Sequence, residues 1–258
     1  MEPESAPTDS VVGSFVLEAL IGVATLSRWS LFSERRFGDT RHRARSLLFA
    51  PVIGLVAGIF LAIIDRALAP MLAPIARSIA VLLIMEAAAG GIDLVGVGDL
   101  VDAIRIGSRP ASTGIARIGP VGALAAIRWL AAAVYFLARI PNPSGRAAAL
   151  VMATMLSRWA IVPIGYGLKP MERWGLGVQY EGGITFREFS ISSAIALGLA
   201  MGFYENIGLG VIVALALTIL ALRLLLSRRL GGAAGYALAG SMAICELVVF
   251  GVLAALRI

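Results

Sequence analysis

Residues 46–64 read SLLFAPVIGLVAGIFLAII, a run without a single charged side chain. About 20 apolar residues in a helix cross the hydrocarbon core of a bilayer. The whole chain is 59% hydrophobic and only 15% charged, whereas ordinary soluble domains carry about 25% charged residues. No stretch alternates with the period of two that a transmembrane β-strand needs. The sequence therefore predicts an all-α fold, a polytopic transmembrane helical bundle.

The apolar segments predict about seven to eight spans in one transmembrane domain, residues 11–258, preceded by a disordered tail at residues 1–10. The segment before Tyr204-Glu205-Asn206 is short, so we expect a tight hairpin there, and a seven-span count stays open. The predicted spans are 11–27, 46–64, 72–92, 118–138, 147–167, 189–203, 207–222 and 234–256.

Most arginines fall in the predicted loops 28–45, 93–117, 168–188 and 223–233. Basic loop residues mark the cytoplasmic side of a membrane protein, so we expect these loops to face the cytoplasm from a multi-pass protein of the plasma membrane. The net charge of +6 suits anionic lipid head groups or a phosphorylated substrate. This charge does not point to nucleic acid in particular, and arginines that set the orientation in the membrane account for most of it.

The stretch GGIDLVGVGDLVD, residues 90–102, runs from the end of the predicted span 72–92 into the predicted loop 93–117. Asp99 and Asp102 are three residues apart, which places both carboxylates on one face if the segment is helical. Mg²⁺ typically takes one or two carboxylates together with phosphate oxygens and water. The pair therefore indicates a metal-assisted phosphoryl or phosphodiester transfer, although two solvated carboxylates are the plainer alternative. The single cysteine, Cys245, and the single histidine, His42, exclude an intramolecular disulfide and a Cys/His zinc site.

Glycine-rich breaks interrupt the chain at three predicted helix ends on this same face. They are Gly90-Gly91, Gly175-Leu176-Gly177 and Gly231-Gly232. Glycine allows a ligand to approach the backbone closely. One such break is an ordinary helix end, but three on one face predict a shared site.

These motifs together resemble the adenosylcobinamide-GDP ribazoletransferase family, membrane enzymes also called cobalamin(-5′-phosphate) synthases. The resemblance runs along nearly the whole chain in order. The family's acidic motif, G-G-x-H-x-D-G-x-x-D-x-x-D-G, is matched at five positions, and further matches flank it. The matching residues are Ser27-Arg28, Pro51, Gly54, Gly58, Gly90, Gly91, Gly96, Asp99, Asp102, Arg117, Gly119, Gly122, Arg158-Trp159, Arg173, Gly175, Gly177, Gly231, Gly232, Gly235, Leu238 and Glu246.

The acidic motif also departs from the family pattern. Asp93 stands where the family has His, and Val95 stands where it has the first Asp. Near the C-terminal glycines, Ala234 and Tyr236 replace a Thr and an Asp of the family. We hypothesise that Asp93 supplies the carboxylate that is missing at Val95.

The resemblance implies a membrane transferase that joins adenosylcobinamide-GDP with α-ribazole, or its 5′-phosphate, and releases GMP with the help of Mg²⁺. It implies catalytic roles for Asp99, Asp102 and Arg117 and metal binding by Asp93, Asp99 and Asp102. Seven further residues would bind substrate or phosphate: Arg28, Arg158, Arg173, Gly90, Gly91, Gly231 and Gly232. Another membrane phosphotransferase acting on a nucleotide-linked substrate, a non-catalytic relative and a transporter stay open, as does a homo-oligomer.

Charge inside a span is costly and usually functional, and Glu18, Glu86, Arg128, Arg158 and Glu246 fall within predicted spans. Glu18 and Arg128 match no family position. Arg158 and Glu246 match family positions, so we expect a site or a buried pair there. Glu86 precedes Gly90 by about one turn, and we expect its side chain to reach the predicted cytoplasmic site at the glycine-rich breaks.

Overall fold

The computed structural model describes residues 45–106, 118–169 and 184–256. Within these ranges every regular element is helical and no β-strand is assigned. The predicted tail 1–10 and the predicted span 11–27 lie outside them. The helices are α1 (Ala50–Leu68), α2 (Pro74–Ala89), α3 (Ile92–Ile106), α4 (Pro120–Ala138), α5 (Pro143–Gly165), α6 (Phe186–Leu225) and α7 (Gly235–Ala255); a 3₁₀ turn, Leu47–Phe49, precedes α1 and a π-helical turn, Leu226–Leu230, follows α6.

The predicted class, an all-α transmembrane bundle, is confirmed. In the described residues, 5 helical segments are long and apolar enough to cross a membrane, and α2 with α3 makes up to 6 if the bent pair counts as one span. We name the two ends of the bundle after the residues found there. The Gly235 end is where α5 ends and α7 begins, and Ala233 N–H donates to the Lys169 carbonyl there at 2.8 Å. The Pro143 end is opposite.

Helices α5 and α7 form the interior, and the others surround them. About 83% of the apolar window of α5 and 72% of that of α7 are buried, against 28% for α4. Helix α1 packs closely on α5 because glycines lie at the contact: a Cβ atom on Gly54 would lie 2.7 Å from the Met155 Cα, and one on Gly58 would lie 2.6 Å from the Val151 Cα. The Thr154 hydroxyl donates to the Gly54 carbonyl at 2.9 Å. Small residues of this kind are a common basis for helix association in membranes.

The predicted loop 93–117 is wrong in its first part, because residues Ile92–Ile106 form α3. This helix packs against α7 where two glycines meet, and a Cβ on Gly96 would lie 2.5 Å from the Gly240 nitrogen. Asp93, earlier on α3, lies near Glu246, later on α7, so the two helices run antiparallel. The aspartates lower the hydropathy of this segment, yet their side chains are buried. A hydropathy profile therefore scores a buried polar helix as a loop.

Gly90 and Gly91 join α2 to α3 with φ angles of 67° and 71°, a conformation that glycine adopts without steric cost. The two helices differ in direction by 81° at this break. The predicted span 72–92 is therefore the first arm of a broken helix.

The helix assignment of α6 continues through the predicted hairpin, from Phe186 to Leu225. A straight helix would separate the Cα atoms of residues 200 and 208 by about 12 Å. However, a Cβ on Gly208 would lie 2.5 Å from the Ala200 carbonyl oxygen. The chain therefore turns back on itself between Ala200 and Gly208, which supports the tight hairpin that the sequence predicts.

Candidate functional site

A buried arginine joins three helices in the middle of the bundle. Arg158 lies on α5; its Nη2 is 3.7 Å from an Asp93 carboxylate oxygen on α3, and its Nη1 is 3.7 Å from a Glu246 carboxylate oxygen on α7. Nη1 also donates to the Ser157 hydroxyl at 3.0 Å. Asp93 and Glu246 are completely buried and Arg158 is 4% exposed. The expected buried pair of Arg158 and Glu246 is therefore present, and Asp93 joins it.

Glu86, in the last turn of α2, is 5% exposed and interacts electrostatically with Asp93 and Glu246, so it adds a third carboxylate to this group. Both carboxylate oxygens of Glu86, Asp93 and Glu246 are without a hydrogen-bond partner in the described part of the chain. Buried polar groups in folded proteins are normally hydrogen-bonded, and a buried charge without a close partner is costly. We call Glu86, Asp93, Arg158 and Glu246 the central cluster. Its carboxylates exceed its cations, which is unusual for a purely structural network.

The central cluster lies inside the bundle and not at a span end. Glu246 follows Gly235 by eleven residues, which is roughly 16 Å along a helix, and Asp93 lies beside it across Arg158. The Gly90–Gly91 break is therefore deeper than the sequence predicted. Gly231, with a φ of 76°, and Gly232 lie before α7 at the Gly235 end. Gly90–Gly91 and Gly231–Gly232 therefore do not lie together. Helix α3, which begins directly after Gly91, runs for several turns before it reaches the Gly235 end.

Asp102 connects α3 to the start of α4. One of its carboxylate oxygens accepts from the Gly119 N–H at 2.6 Å and the other from the Gly122 N–H at 3.1 Å. These N–H groups belong to the first turn of α4, which has no intrahelical acceptors for them. A Cβ on Gly119 would lie 2.9 Å from the carboxylate, so glycine leaves the space that the cap needs. The structure thus gives Asp102 the role of a helix cap.

Asp99, one turn before Asp102 on α3, is also buried, at 2% exposure. Both aspartates therefore lie on one helix, in a segment that the sequence predicted as a loop. Asp93 is directed to Arg158 instead. Among the described residues, no three Asp, Glu, His or Cys side chains are arranged to hold a metal ion. The predicted set of Asp93, Asp99 and Asp102 is therefore not assembled as a three-carboxylate site, and any Mg²⁺ would need other ligands.

Three predicted phosphate-binding arginines, Arg28, Arg117 and Arg173, lie outside the described residues. Their placement stays a prediction. Of the predicted arginines, the structure therefore describes Arg158 alone.

A second buried charged group, at the Pro143 end, was not predicted from the sequence. Both oxygens of Asp65 accept from Arg146, at 2.6 and 3.1 Å, and the Arg77 Nε lies 3.3 Å from the same carboxylate. Arg146 also donates to the Leu137 carbonyl at 2.6 Å and to the Ser78 hydroxyl at 3.2 Å. We call these residues the Asp65 clamp. A charged residue at the end of an apolar run, such as Asp65, is the one signal that could have revealed it.

These features define a class: a polytopic helical membrane protein with a charged site at a break between two helices inside its bundle. The family model described as cobalamin-5-phosphate synthase matches residues 11–254. The chain belongs to the cobalamin-5-phosphate synthase family.

Two curated relatives carry the name adenosylcobinamide-GDP ribazoletransferase, one from Synechococcus sp. and one from Synechococcus elongatus. Each is 27% identical to this chain over 203 residues, which cover 72% of this chain and 77% of the relative. No solved structure gives a significant match.

Proposed function

We propose that this protein joins adenosylcobinamide-GDP to α-ribazole or α-ribazole 5′-phosphate, giving adenosylcobalamin or its phosphate and GMP. The family membership and the names of both relatives support this activity. The proposal places the enzyme in the plasma membrane with its substrates entering from the cytoplasm, because the described basic residues Lys169, Arg228 and Arg229 lie at the Gly235 end. Membrane transfer to another nucleotide-linked substrate is the alternative, and the assay below distinguishes it.

The reaction is a substitution at phosphorus. A hydroxyl group of the ribazole attacks the phosphorus that is bonded to cobinamide, the bond from that phosphorus to the GMP oxygen breaks, and the hydroxyl proton is released. The protein need not supply a nucleophile. Its contribution is to hold the two reactants together and to stabilise the charge that develops on the phosphoryl oxygens.

Arg158 is the described residue that best fits this electrostatic role. Its contacts to Asp93 and Glu246, at 3.7 Å, are longer than the 2.7–2.9 Å typical of charge-assisted hydrogen bonds. A guanidinium group that is held by opposite charges, without close hydrogen bonds to either carboxylate, retains donors for a phosphate. This single observation carries the assignment, and we infer that Arg158 binds a substrate phosphate from within the bundle.

We also propose that the reaction depends on Mg²⁺ carried by the pyrophosphate of the substrate. Asp99 would be the α3 carboxylate that binds such an ion, because it matches an aspartate of the family's acidic motif. Mg²⁺ usually retains several waters and needs few protein ligands, so this role is compatible with the lack of a three-carboxylate set among the described residues. The ion would neutralise charge on the pyrophosphate.

The test uses the full-length protein purified in detergent and supplied with both substrates and Mg²⁺. We expect mass spectrometry to detect cobalamin and GMP in equal amounts. Arg158→Gln should lower the rate at least about tenfold, which corresponds to about 1.4 kcal/mol of transition-state stabilisation, and Asp99→Ala should raise the Mg²⁺ concentration needed for half-maximal rate.

Arg228→Gln is the matched control, because it removes an exposed arginine at the Gly235 end, and it should behave like the unmodified chain. GMP release without cobalamin, or with a different acceptor, would point to the alternative substrate. If folded Arg158→Gln is fully active, Arg158 does not bind the substrate phosphate, although the proposed reaction still holds.

A further inference from the structure

A groove between α1 and α5 lies at the Pro143 end, away from the central cluster. Its volume is about 570 Å³, within the range of small-molecule sites, and its walls are mainly apolar. Ile59 and Ile63 line it from α1, and Ala147 and Val151 line it from α5. Ile63 is 63% exposed, so the groove opens to the outside of the bundle.

The mouth of this groove is polar and positively charged. Arg66, in the last turn of α1, and Ser144, in the first turn of α5, both line it and are exposed. Within the described residues, the Arg66 guanidinium has neither an acidic partner nor a hydrogen bond. The neighbouring carboxylate of Asp65 is directed inward, where Arg146 and Arg77 neutralise it. Asp65 also lines the groove, but its carboxylate is paired with Arg146 and Arg77, so Arg66 gives the mouth an excess positive charge.

We propose that this groove binds one anionic phospholipid. An acyl chain would lie between α1 and α5, and the phosphate of the head group would bind to Arg66 at the mouth. The charge decides the class of lipid, because an apolar groove alone would accept any acyl chain, whereas an arginine without a partner favours a head group with net negative charge. The Asp65 clamp supports this site, since it holds the end of α1 and the start of α5 in place and engages the carboxylate that neighbours Arg66 in the sequence.

The experiment is native mass spectrometry of the full-length protein released from detergent that contains phosphatidylglycerol or phosphatidylcholine at equal concentrations. These lipids share a phosphodiester and acyl chains but differ in net head-group charge. We expect the first bound lipid to be phosphatidylglycerol, with about tenfold higher affinity than phosphatidylcholine, and we expect Arg66→Gln to abolish this preference. Arg228→Gln makes the same charge change at the other end of the bundle and should retain it.

A second pair of variants tests the groove itself. Ala147→Phe fills the space between the helices, and Ile59→Ser removes an apolar contact from an exposed position, where folding is not at risk. Both should reduce binding of the first lipid several-fold. Equal binding of the two lipids by the unmodified chain, equal effects of Arg66→Gln and Arg228→Gln, or undiminished binding by Ile59→Ser would each overturn the proposal.

Discussion

The Asp65 clamp and the central cluster are both buried charged groups, but their hydrogen bonding is opposite. In the clamp, one carboxylate meets two arginines, and Arg146 donates at 2.6–3.3 Å to a carboxylate, a hydroxyl and a carbonyl. In the central cluster, one arginine is paired with two of three carboxylates at 3.7 Å, and the carboxylate oxygens lack hydrogen bonds from the described residues. The Arg77 Nε, 3.3 Å from Asp65, is the one clamp atom among the buried atoms without a hydrogen bond in the described residues. A largely satisfied buried network of this kind makes a structure rigid, whereas an unsatisfied one is maintained at a cost in stability.

This difference indicates that the clamp has a structural role and the central cluster a functional one. The clamp ties the starts of α2 and α5 to the end of α1 at one level, where no chemistry is proposed. The central cluster lies at the α2–α3 break, and its buried carboxylates have no hydrogen-bond partner among the described residues. Proteins commonly tolerate buried polar groups without partners at functional sites. Neutralising a carboxylate should therefore have opposite consequences in the two groups.

The largest effect is expected when the clamp is broken. Asp65→Asn leaves Arg146 and Arg77 buried without a counter-charge, and breaking a buried pair in this way costs about 3–5 kcal/mol. We expect a marked loss of thermal stability, measured by the amount of monodisperse protein left after heating in detergent. If Asp65→Asn leaves thermal stability unchanged, the clamp does not stabilise the bundle and does not differ from the central cluster in this respect.

Neutralising the central cluster should affect activity and not stability. Glu246→Gln removes one of three carboxylates in a cluster that has a single guanidinium, so we expect the free energy of unfolding to change by less than about 1 kcal/mol while the rate of cobalamin formation falls at least about tenfold. Heating in detergent and the product assay measure the two quantities on the same preparation. A large loss of stability together with full activity would assign the cluster a structural role.

The crossing of α3 and α7 positions Asp93 beside Arg158, and its glycines should be sensitive to any added atom. Gly96→Ala places a Cβ 2.5 Å from the Gly240 nitrogen, and overpacking of this kind costs about 1–3 kcal/mol. We expect reduced thermal stability and a lower rate as α3 moves away from α7. Gly198→Ala is the matched control, because nothing lies within 4 Å of its Cβ. Equal stability of the two variants would contradict the close crossing.

The smallest effect is expected at the cap of α4. Asp102→Ala removes the acceptor for two backbone N–H groups of that helix, and the loss of a helix cap costs about 1 kcal/mol. Asp102→Asn keeps one acceptor oxygen and should recover part of the stability, as measured by thermal unfolding. If Asp102→Ala leaves stability unchanged but abolishes the Mg²⁺ response, then Asp102 acts as a metal ligand and not as a cap.

The sequence supported the helical membrane class well because hydropathy is a local property of a segment. It failed at α3, where buried aspartates made a helix resemble a loop. Resemblance to a family indicated Arg158 and Glu246, and the position of Glu86 suggested that it shares their pocket. Nothing in the sequence indicated that Asp65 and Arg146 would meet, because they lie on different helices far apart in the chain and neither belongs to a recognised motif.

The amino-acid sequence by itself determined the all-α membrane architecture, the family and the type of residue available for chemistry. Only the tertiary structure decided which of those residues meet. Asp93 was predicted to act with Asp99 and Asp102, but the bend at Gly90–Gly91 and the antiparallel crossing of α3 and α7 direct it to Arg158 and Glu246 instead. The physical reason is that spacing along a chain determines which residues share a face of one helix, whereas contacts between helices depend on the depth and angle at which they pack.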